Sequence, residues 1–217
     1  MYDVLSIGSA VVDVFIHSDK FQAQATHDQQ TGQAGEQLCQ LYGDKVEIEE
    51  FKVYTGGGAT NTAVGWARLG FKTGVIAETG RDNFSQIVVN DLIREQVGIR
   101  LLIKEKKEYT GGSVILIGTA GKRIIMVHRG ASSQLDPYDI PIYWLTKTKW
   151  VHVSSLAGQE QTLAKIFQII RKNPQVNLSW NPGKADLSLL AQRSLAIKQI
   201  PCRVFFVNQQ EWQLLEG

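Results

Sequence analysis

A run of three glycines could bring a ligand close to the protein backbone. Gly56-Gly57-Gly58 precedes Ala59-Thr60-Asn61 and a segment typical of a helix. Glycines allow close approach, and a helix start presents N–H groups to a ligand. No Gly-Lys-Ser/Thr follows, which excludes a P-loop, and Asn61 stands where the dinucleotide fingerprint needs its third glycine. By itself, a glycine run marks a turn more often than a site.

The elements around these glycines alternate between strands and helices. Strands are predicted at 4–7, 11–16, 74–77, 150–153, 176–180 and 204–207, and helices at 59–69, 84–96, 159–172, 186–198 and 208–215. This alternation predicts an α/β fold with a mostly parallel sheet covered by helices. A bulged, half-polar strand at 46–53 and a hairpin at 113–128 depart from the rhythm and predict a small antiparallel β flap.

Small and polar residues follow nearly every predicted strand. They lie at 8–10, 78–82, 154–155, 181–183 and 208–211. In open α/β sheets, ligands bind beyond the carboxyl ends of the strands, so this edge is the candidate site. Turns and helix caps explain most of the pattern, but not the glycine run or the spacing that follows it.

Composition excludes several classes of protein. The 217 residues are 43% hydrophobic and 20% charged, and 23 Lys and Arg against 21 Asp and Glu give a net charge of +2. These values predict a globular chain and argue against nucleic acid or a membrane as partner. No segment approaches the roughly 18 apolar residues of a membrane span. Cys39 and Cys202 form no Cys-x-x-Cys pair, so we expect reduced thiols in the cytoplasm, and the histidines show no metal-ligand spacing.

The spacing after the glycine run is long and specific. Gly57-Gly58-Ala59-x-Asn61-x-Ala63 is followed by Gly70 and Gly80. This pattern resembles the N-terminal signature of the ribokinase-like (phosphofructokinase-B type) carbohydrate kinases at every fixed position. The resemblance spans 1–217. It implies a three-layer α/β sandwich with a mostly parallel central sheet, ATP and Mg²⁺ as cofactors, and phosphoryl transfer to a hydroxyl of a sugar or nucleoside.

The resemblance also implies a domain organisation. A β lid, formed by about 11–55 and 110–130, would be inserted in the α/β body and fold over the substrate. The family's C-terminal ATP-binding portion would lie beyond Gly217. Its Gly-Ala-Gly-Asp motif, which supplies the anion hole and the catalytic base, is absent from this sequence. We therefore expect a truncated kinase that binds substrate without turnover. The apolar strand at 204–207 would need a completing C-terminal segment or self-association, and the resemblance suggests a homodimer through the lid.

Five residues are implied as substrate contacts: Asp13, Gly57, Gly58, Asn61 and Arg129. The carboxylate of Asp13 suits two neighbouring hydroxyls, and its alternative role is to stabilise a turn. Asn61 can donate and accept, or cap a helix. Arg129 could clamp a phosphate or carboxylate, while a solvated charge is the simpler interpretation. Ribokinases proper have a lysine at the position of Gly58, which leaves nucleosides, other sugars and sugar phosphates open.

The nucleotide side is implied by three residues. Asn181 belongs to an Asn-Pro pair like that of the family, and Asn208 and Glu211 match its Asn-x-x-Glu motif. The resemblance places Asn208 near the nucleotide phosphates and lets Glu211 organise Mg²⁺ through water. The same spacing also suits a capping box, and both roles can hold at once.

Two other functions stay open. One is a non-catalytic sugar- or nucleoside-binding module, or pseudoenzyme, which would bind without consuming ATP. The other is a Rossmann-type dinucleotide enzyme, which ranks last because the glycine fingerprint fails.

Overall fold

The computed structural model describes residues 1–27, 34–192 and 200–216. The chain divides into two compact units. The α/β unit comprises Met1–Val12, Thr55–Gly111 and Arg129–Gly217, and the β unit comprises Asp13–Tyr54 and Gly112–His128. These boundaries lie within two residues of the lid segments predicted at 11–55 and 110–130. None of the helices in the described part of the chain has the length and hydropathy needed to span a bilayer.

Twelve strands and six α-helices are described. The strands are β1 (Val4–Ile7), β2 (Val11–His17), β3 (Gln22–His27), β4 (Ala34–Cys39), β5 (Glu50–Gly56), β6 (Thr73–Thr79), β7 (Leu102–Lys104), β8 (Gly111–Ile117), β9 (Arg123–His128), β10 (Trp150–Val153), β11 (Asn177–Trp180) and β12 (Val204–Phe205). The helices are α1 (Gly58–Arg68), α2 (Asn83–Arg94), α3 (Ile142–Lys147), α4 (Glu160–Arg171), α5 (Lys184–Ala191) and α6 (Gln209–Glu216).

The α/β unit is built on a six-stranded parallel sheet. Its strand order is β12-β11-β10-β1-β6-β7. The chain starts in the middle at β1, adds β6 and β7 on one side, and then crosses to β10, β11 and β12 on the other. The carboxyl ends of β1 and β10 therefore flank the switch point, where ligands of such sheets bind. The predicted α/β architecture with a mostly parallel sheet is confirmed.

Both faces of this sheet are buried, which explains why its strands are apolar rather than alternating. On one face, Val75 and Ala77 of β6 pack in a cluster with Ala59 and Ala63 of α1. On the other face, the apolar side of α4 contributes residues at helical spacing, Leu163, Ile166, Phe167 and Ile170. Trp180 is the largest fully buried side chain there, with ring centroids 5.2 Å from Phe167 and 5.5 Å from Phe205.

The β unit is antiparallel where its register is described. The strands β5, β2, β8 and β9 form one sheet in that order, and the β3–β4 hairpin forms a second, two-stranded sheet. The pairing of β8 with β9 sets Ser113 opposite Val127 and Ile115 opposite Ile125. Every residue of β9 is exposed, so an apolar strand edge of the β unit faces solvent in this chain.

Several predicted boundaries differ from those observed. The half-polar strand predicted at 46–53 lies at Glu50–Gly56, and the helix predicted at 186–198 begins at Lys184, with its predicted end outside the described residues. The strand predicted at 204–207 is shorter, Val204–Phe205. The strands β3, β4 and β7 and the helix α3 are not predicted. The strands β3 and β4 are rich in polar and small residues, β7 has three residues beside a charged segment, and α3 has six residues behind Pro141.

Glu78 is a carboxyl group buried in the parallel sheet. It lies in β6, is 2% exposed, and its Oε2 has no hydrogen-bond partner among the described residues. Burial, and then the nearby carboxylates of Asp139, Glu105 and Asp136, raise its pKa from 4.5 to about 8. Glu78 therefore keeps its proton at neutral pH in the folded protein.

We expect Glu78 to make stability depend on pH. Unfolded Glu78 ionises near 4.5 and folded Glu78 near 8, so its stabilising contribution is complete below the first value and is lost as pH rises to the second. Glu78→Gln, neutral throughout, should remove this fall and exceed the wild type in stability at about pH 9. Denaturant unfolding at about pH 6 and about pH 9 measures the difference. The exposed control Glu160→Gln should follow the wild type; a Glu78→Gln curve that also follows it would refute this account.

Candidate functional site

Three segments of the α/β unit converge on Ser154 at the sheet's switch point. Ser154 follows β10, is 5% exposed, and donates its hydroxyl to the Ile7 carbonyl at 3.2 Å. A Cβ atom at Gly8, after β1, would lie 1.9 Å from Ser154 Oγ. A Cβ atom at Gly58, which opens α1, would lie 2.3 Å from the same oxygen. Real Cβ atoms essentially never come so close, so Ser154 requires glycine at both positions.

The next residue forms a similar contact on the other side of β10. A Cβ atom at Gly183, in the loop after β11, would lie 2.4 Å from Ser155 Oγ. The Ser154-Ser155 pair therefore packs against loops that follow both neighbouring strands, β1 and β11. The sequence pattern places this pair at a strand end without assigning it a role. The glycines in the sequence indicated that some group packs closely on the backbone there, but they did not identify that group as Ser154 or Ser155.

The glycine run is held by the loop that follows β1. Gly57 has φ +107°, and a Cβ atom there would lie 2.4 Å from the Ser9 carbonyl oxygen. Ser9 Oγ accepts the Gly58 N–H at 2.9 Å, and the Ser9 carbonyl accepts the Ala59 N–H at 3.1 Å. The expectation that these glycines present the first helical N–H groups to a ligand is therefore corrected, because Ser9 already satisfies two of them.

Asn61 lies in the first turn of α1 with an exposed side chain. Its backbone N–H donates to the Gly57 carbonyl at 3.0 Å, as an ordinary helical bond. The N-cap of α1 is Gly57, which has no side chain, and the Ser9 hydroxyl accepts the first helical N–H in its place. The alternative of a helix-capping asparagine is therefore wrong, and the amide of Asn61 faces solvent beside the glycine run.

Asp13 belongs to the β unit, and Arg129 to the α/β unit. Asp13 is half-buried as the third residue of β2, where Ser113 Oγ donates to its Oδ1 at 2.5 Å. It lies inside a strand rather than in a turn, and the Ser113 hydroxyl helps to orient its carboxylate. Arg129 directly precedes the 3₁₀ turn Gly130–Ser133. Its side chain is exposed, as expected for a solvated charge.

The residues assigned to the nucleotide side make hydrogen bonds to the backbone of their own and neighbouring loops. Asn181 Nδ2 donates to the Phe206 carbonyl at 2.8 Å, which joins the loops after β11 and β12. The Asn208 N–H donates to Glu211 Oε2 at 2.8 Å, and the Glu211 N–H donates to Asn208 Oδ1 at 2.8 Å. This reciprocal pair is the capping box that the spacing allowed.

The fit of a magnesium ion can be tested on Glu211. One of its carboxylate oxygens accepts the Asn208 N–H, and the side chain is half-buried. Mg²⁺ keeps several waters and often takes one or two protein carboxylates, so a single glutamate fits a hydrated ion. Within the described ranges, no group of three or more His, Cys, Asp or Glu could form a complete metal cage.

Asp82 fixes the loop after β6. Its Oδ1 accepts the Ser85 N–H at 2.8 Å, which caps α2, and its Oδ2 accepts the Thr110 N–H at 2.6 Å. Burial opposes the charged form, but these hydrogen bonds outweigh it and hold the pKa of Asp82 below its ordinary value. Gly80 donates to Thr110 Oγ1 at 3.0 Å in the same network. A charged Asp82 therefore holds this part of the candidate edge.

Asp186 is a fully buried carboxylate that the sequence pattern did not single out. It lies in the first turn of α5, and its two oxygens accept backbone N–H groups from the loops after β10 and β11. The spacing of Gly183 and Asp186 resembles half of a capping box and could have revealed one of these bonds. The bonds to the β10 loop leave no local sequence signal.

Comparisons with known proteins agree with this architecture. A profile of the pfkB family carbohydrate kinases matches residues 1–217. The chain is 30% identical over 137 residues to the 5-dehydro-2-deoxygluconokinase of Clostridium perfringens, covering 60% of this chain and 40% of that protein. It is 34% identical over 133 residues to the fructokinase of Klebsiella pneumoniae, covering 58% of this chain and 43% of that protein. The matches therefore span less than half of these relatives.

A solved structure shows the same fold. The ribokinase of Arabidopsis thaliana, complexed with ribose and ATP, superposes with a TM-score of 0.74 at 16% identity. The match covers 99% of this chain and 62% of that one. The expected ribokinase-like fold is thereby confirmed.

We expect Gly58→Ala to destabilise the protein by about 1–3 kcal/mol, because the new methyl group overlaps Ser154. The double variant Gly58→Ala with Ser154→Gly should recover most of this loss. Gly65→Ala is the matched control, since a Cβ atom there meets nothing within 4 Å and α1 should gain about 0.5–1 kcal/mol. Denaturant unfolding gives all three values. Equal stability of Gly58→Ala and the wild type would show that the predicted overlap does not exist.

Proposed function

The chain belongs to the pfkB family of carbohydrate kinases, and on that premise we propose that it binds a sugar for ATP-dependent phosphoryl transfer to a substrate hydroxyl. The observation that carries this proposal is the glycine-lined junction of Gly8, Gly58 and Ser154 at the switch point of the parallel sheet. Ligands of open α/β sheets bind at that position, and the glycines let the backbone of the neighbouring loops meet there.

Sugars are the substrate class that the comparisons favour. The relatives at 30% and 34% identity are named 5-dehydro-2-deoxygluconokinase and fructokinase. Position 58 is glycine here, whereas the resemblance gives ribokinases proper a lysine. A side chain at 58 would overlap Ser154, so this site cannot accommodate that lysine in its present form. Nucleosides stay the second candidate.

The proposed substrate contacts are Asp13, Gly57, Gly58, Asn61 and Arg129. Asp13 offers a carboxylate that can accept hydrogen bonds from sugar hydroxyls, and Asn61 offers an exposed amide that donates and accepts. Arg129 could neutralise a substrate carboxylate or phosphate, because its guanidinium is always charged. The support for these roles is the sequence signature together with the chemistry of each group.

The proposed nucleotide contacts are Asn181, Asn208 and Glu211. Phosphoryl transfer depends mainly on positioning and on neutralising charge. When bound, Mg²⁺ supplies that neutralisation, and Glu211 is the residue we assign to it. The capping box supports this role, because it fixes the Glu211 carboxylate at the start of α6.

A non-catalytic binding module is the alternative for these 217 residues. The sequence contains no Gly-Ala-Gly-Asp, the family motif that carries the catalytic base. We therefore propose that this chain binds sugar without turnover by itself. We also propose that the protein is cytoplasmic. It would form homodimers through the β unit, because the apolar side chains of Ile125, Met126 and Val127 in β9 are 50–63% exposed. A polypeptide completing the sheet at β12 is the other candidate partner.

The sugar proposal predicts saturable binding in calorimetry with a panel of fructose, ribose and adenosine, with fructose preferred. Asp13→Asn should weaken fructose binding at least about tenfold, because hydrogen bonds to a charged acceptor contribute about 1.5–3 kcal/mol. Asp19→Asn, an exposed aspartate of the same unit, should leave it unchanged. Unchanged affinity in Asp13→Asn would remove Asp13 from the site. Steady ADP release from ATP and fructose would contradict the absence of turnover.

Substitution of Glu211 can separate its two roles. Glu211→Gln keeps an oxygen for the Asn208 N–H but loses the charge, whereas Glu211→Ala loses both. We expect Mg²⁺-dependent ATP binding to be lost in both variants. Stability should fall by about 1 kcal/mol only in the alanine variant. ATP titrations with and without Mg²⁺, paired with denaturant unfolding, measure both effects. Retained Mg²⁺-dependent binding in Glu211→Gln would exclude the metal role.

A further inference from the structure

Asp186 is a fully buried carboxylate that binds backbone from two loops. Its exposed fraction is 0%. Oδ1 accepts the Gly158 N–H at 2.7 Å, and Oδ2 accepts the Leu156 N–H at 3.2 Å and the Gly183 N–H at 2.8 Å. Leu156 and Gly158 belong to the loop after β10, and Gly183 belongs to the loop after β11. One side chain therefore joins the carboxyl ends of two adjacent parallel strands.

The loop after β10 adopts an unfavourable backbone conformation. Ala157 has φ +56° and Gly158 has φ +83°, so two successive residues lie in the left-handed region. This region is costly for alanine because its Cβ atom crowds the following carbonyl. The turn directs the N–H groups of Leu156 and Gly158 to Asp186, while the Ala157 N–H donates to Ser155 Oγ at 3.2 Å. Such conformations persist where surrounding contacts enforce them.

The same loop sets the positions of Ser154 and Ser155. Ser154 packs against Gly8 and Gly58, and Ser155 against Gly183, at distances that leave no room for a Cβ atom. A shift of the loop would therefore move the groups that line the glycine junction. Asp186 contacts the backbone of this loop, so its effect on the junction would pass through residues 154–158.

We propose that Asp186 is a positioning residue of the sugar site, which holds the loop at 154–158 in its strained conformation and so fixes Ser154 and the glycine junction at the edge of the sheet where substrate would bind. This inference rests on the proposed function. Asp186 itself is assigned no contact with substrate or nucleotide. Its role is to pre-organise the loop, which lowers the ordering that binding would otherwise require.

The test combines two independent ways of loosening the loop. Asp186→Asn keeps the shape of the side chain but replaces an acceptor oxygen with an NH₂ donor, facing backbone N–H groups. Gly158→Ala keeps the carboxylate and places a Cβ atom 3.3 Å from Ala185 Cβ at φ +83°. The matched control is Gly121→Ala, which has φ +71° but nothing within 4 Å of its Cβ atom.

Amide hydrogen exchange and fructose calorimetry give separate readouts. In Asp186→Asn and Gly158→Ala, exchange at Leu156 and Gly158 should accelerate at least tenfold, and fructose should bind at least tenfold more weakly. Exchange in the buried strand β1, at Leu5 and Ile7, should stay at the wild-type rate, which shows that the fold is intact. The control Gly121→Ala should change neither the exchange at these two loop positions nor the affinity.

Two outcomes would overturn the positioning role. In the first, loop exchange accelerates and fructose affinity is unchanged, so that Asp186 holds a loop that the substrate does not need. In the second, loop exchange is unchanged in Asp186→Asn, so that Asp186 does not hold the loop. A wild-type protein that binds no member of the panel would instead overturn the proposed function, and the exchange rates would still report on the loop.

Discussion

Close backbone approach at the carboxyl edge of the parallel sheet is the constraint on which the α/β unit depends. The loop after β1, the start of α1 and the loop after β10 meet around Ser154, and no Cβ atom fits at Gly8 or Gly58. The apolar strands and two helical layers bring these ends together, since both faces of the sheet are buried. The junction is therefore a consequence of the core, and the glycines are the residues that permit it.

Carboxylates that accept backbone N–H groups hold the loops of this edge. Asp82 fixes the loop after β6 through hydrogen bonds from Ser85 and Thr110, and Asp186 joins the loops after β10 and β11. Both accept backbone N–H groups that would otherwise be buried without partners, and such unpaired donors are costly. A buried carboxyl group is tolerated in its charged or its neutral form, provided that the surrounding groups stabilise the form it adopts. At Glu78, burial and then the nearby carboxylates raise the pKa and favour the neutral form.

Local features of the sequence predicted more than distant ones. The alternation of apolar strands with helices along the chain predicted the parallel sheet. The spacing of Asn208 and Glu211 predicted a capping box that the structure contains. The glycine run predicted close approach but not its partner, because Ser154 lies far along the chain. Asp186 was missed because two of its three partners are backbone groups of the distant loop after β10, which any sequence could supply. The substrate and nucleotide roles of the remaining candidate residues stay predictions.

The most direct test of the central claim is the site of sugar binding on the protein, mapped by amide chemical shifts during a fructose titration. We expect saturable shifts at Gly57, Gly58, Ser154 and Ser155, with a single dissociation constant shared among them. Shifts confined to the cavity of about 280 Å³ in the β unit, lined in part by Phe21, Leu38 and Lys122, would contradict the claim. The same holds if fructose moves no amide of the glycine junction at saturation.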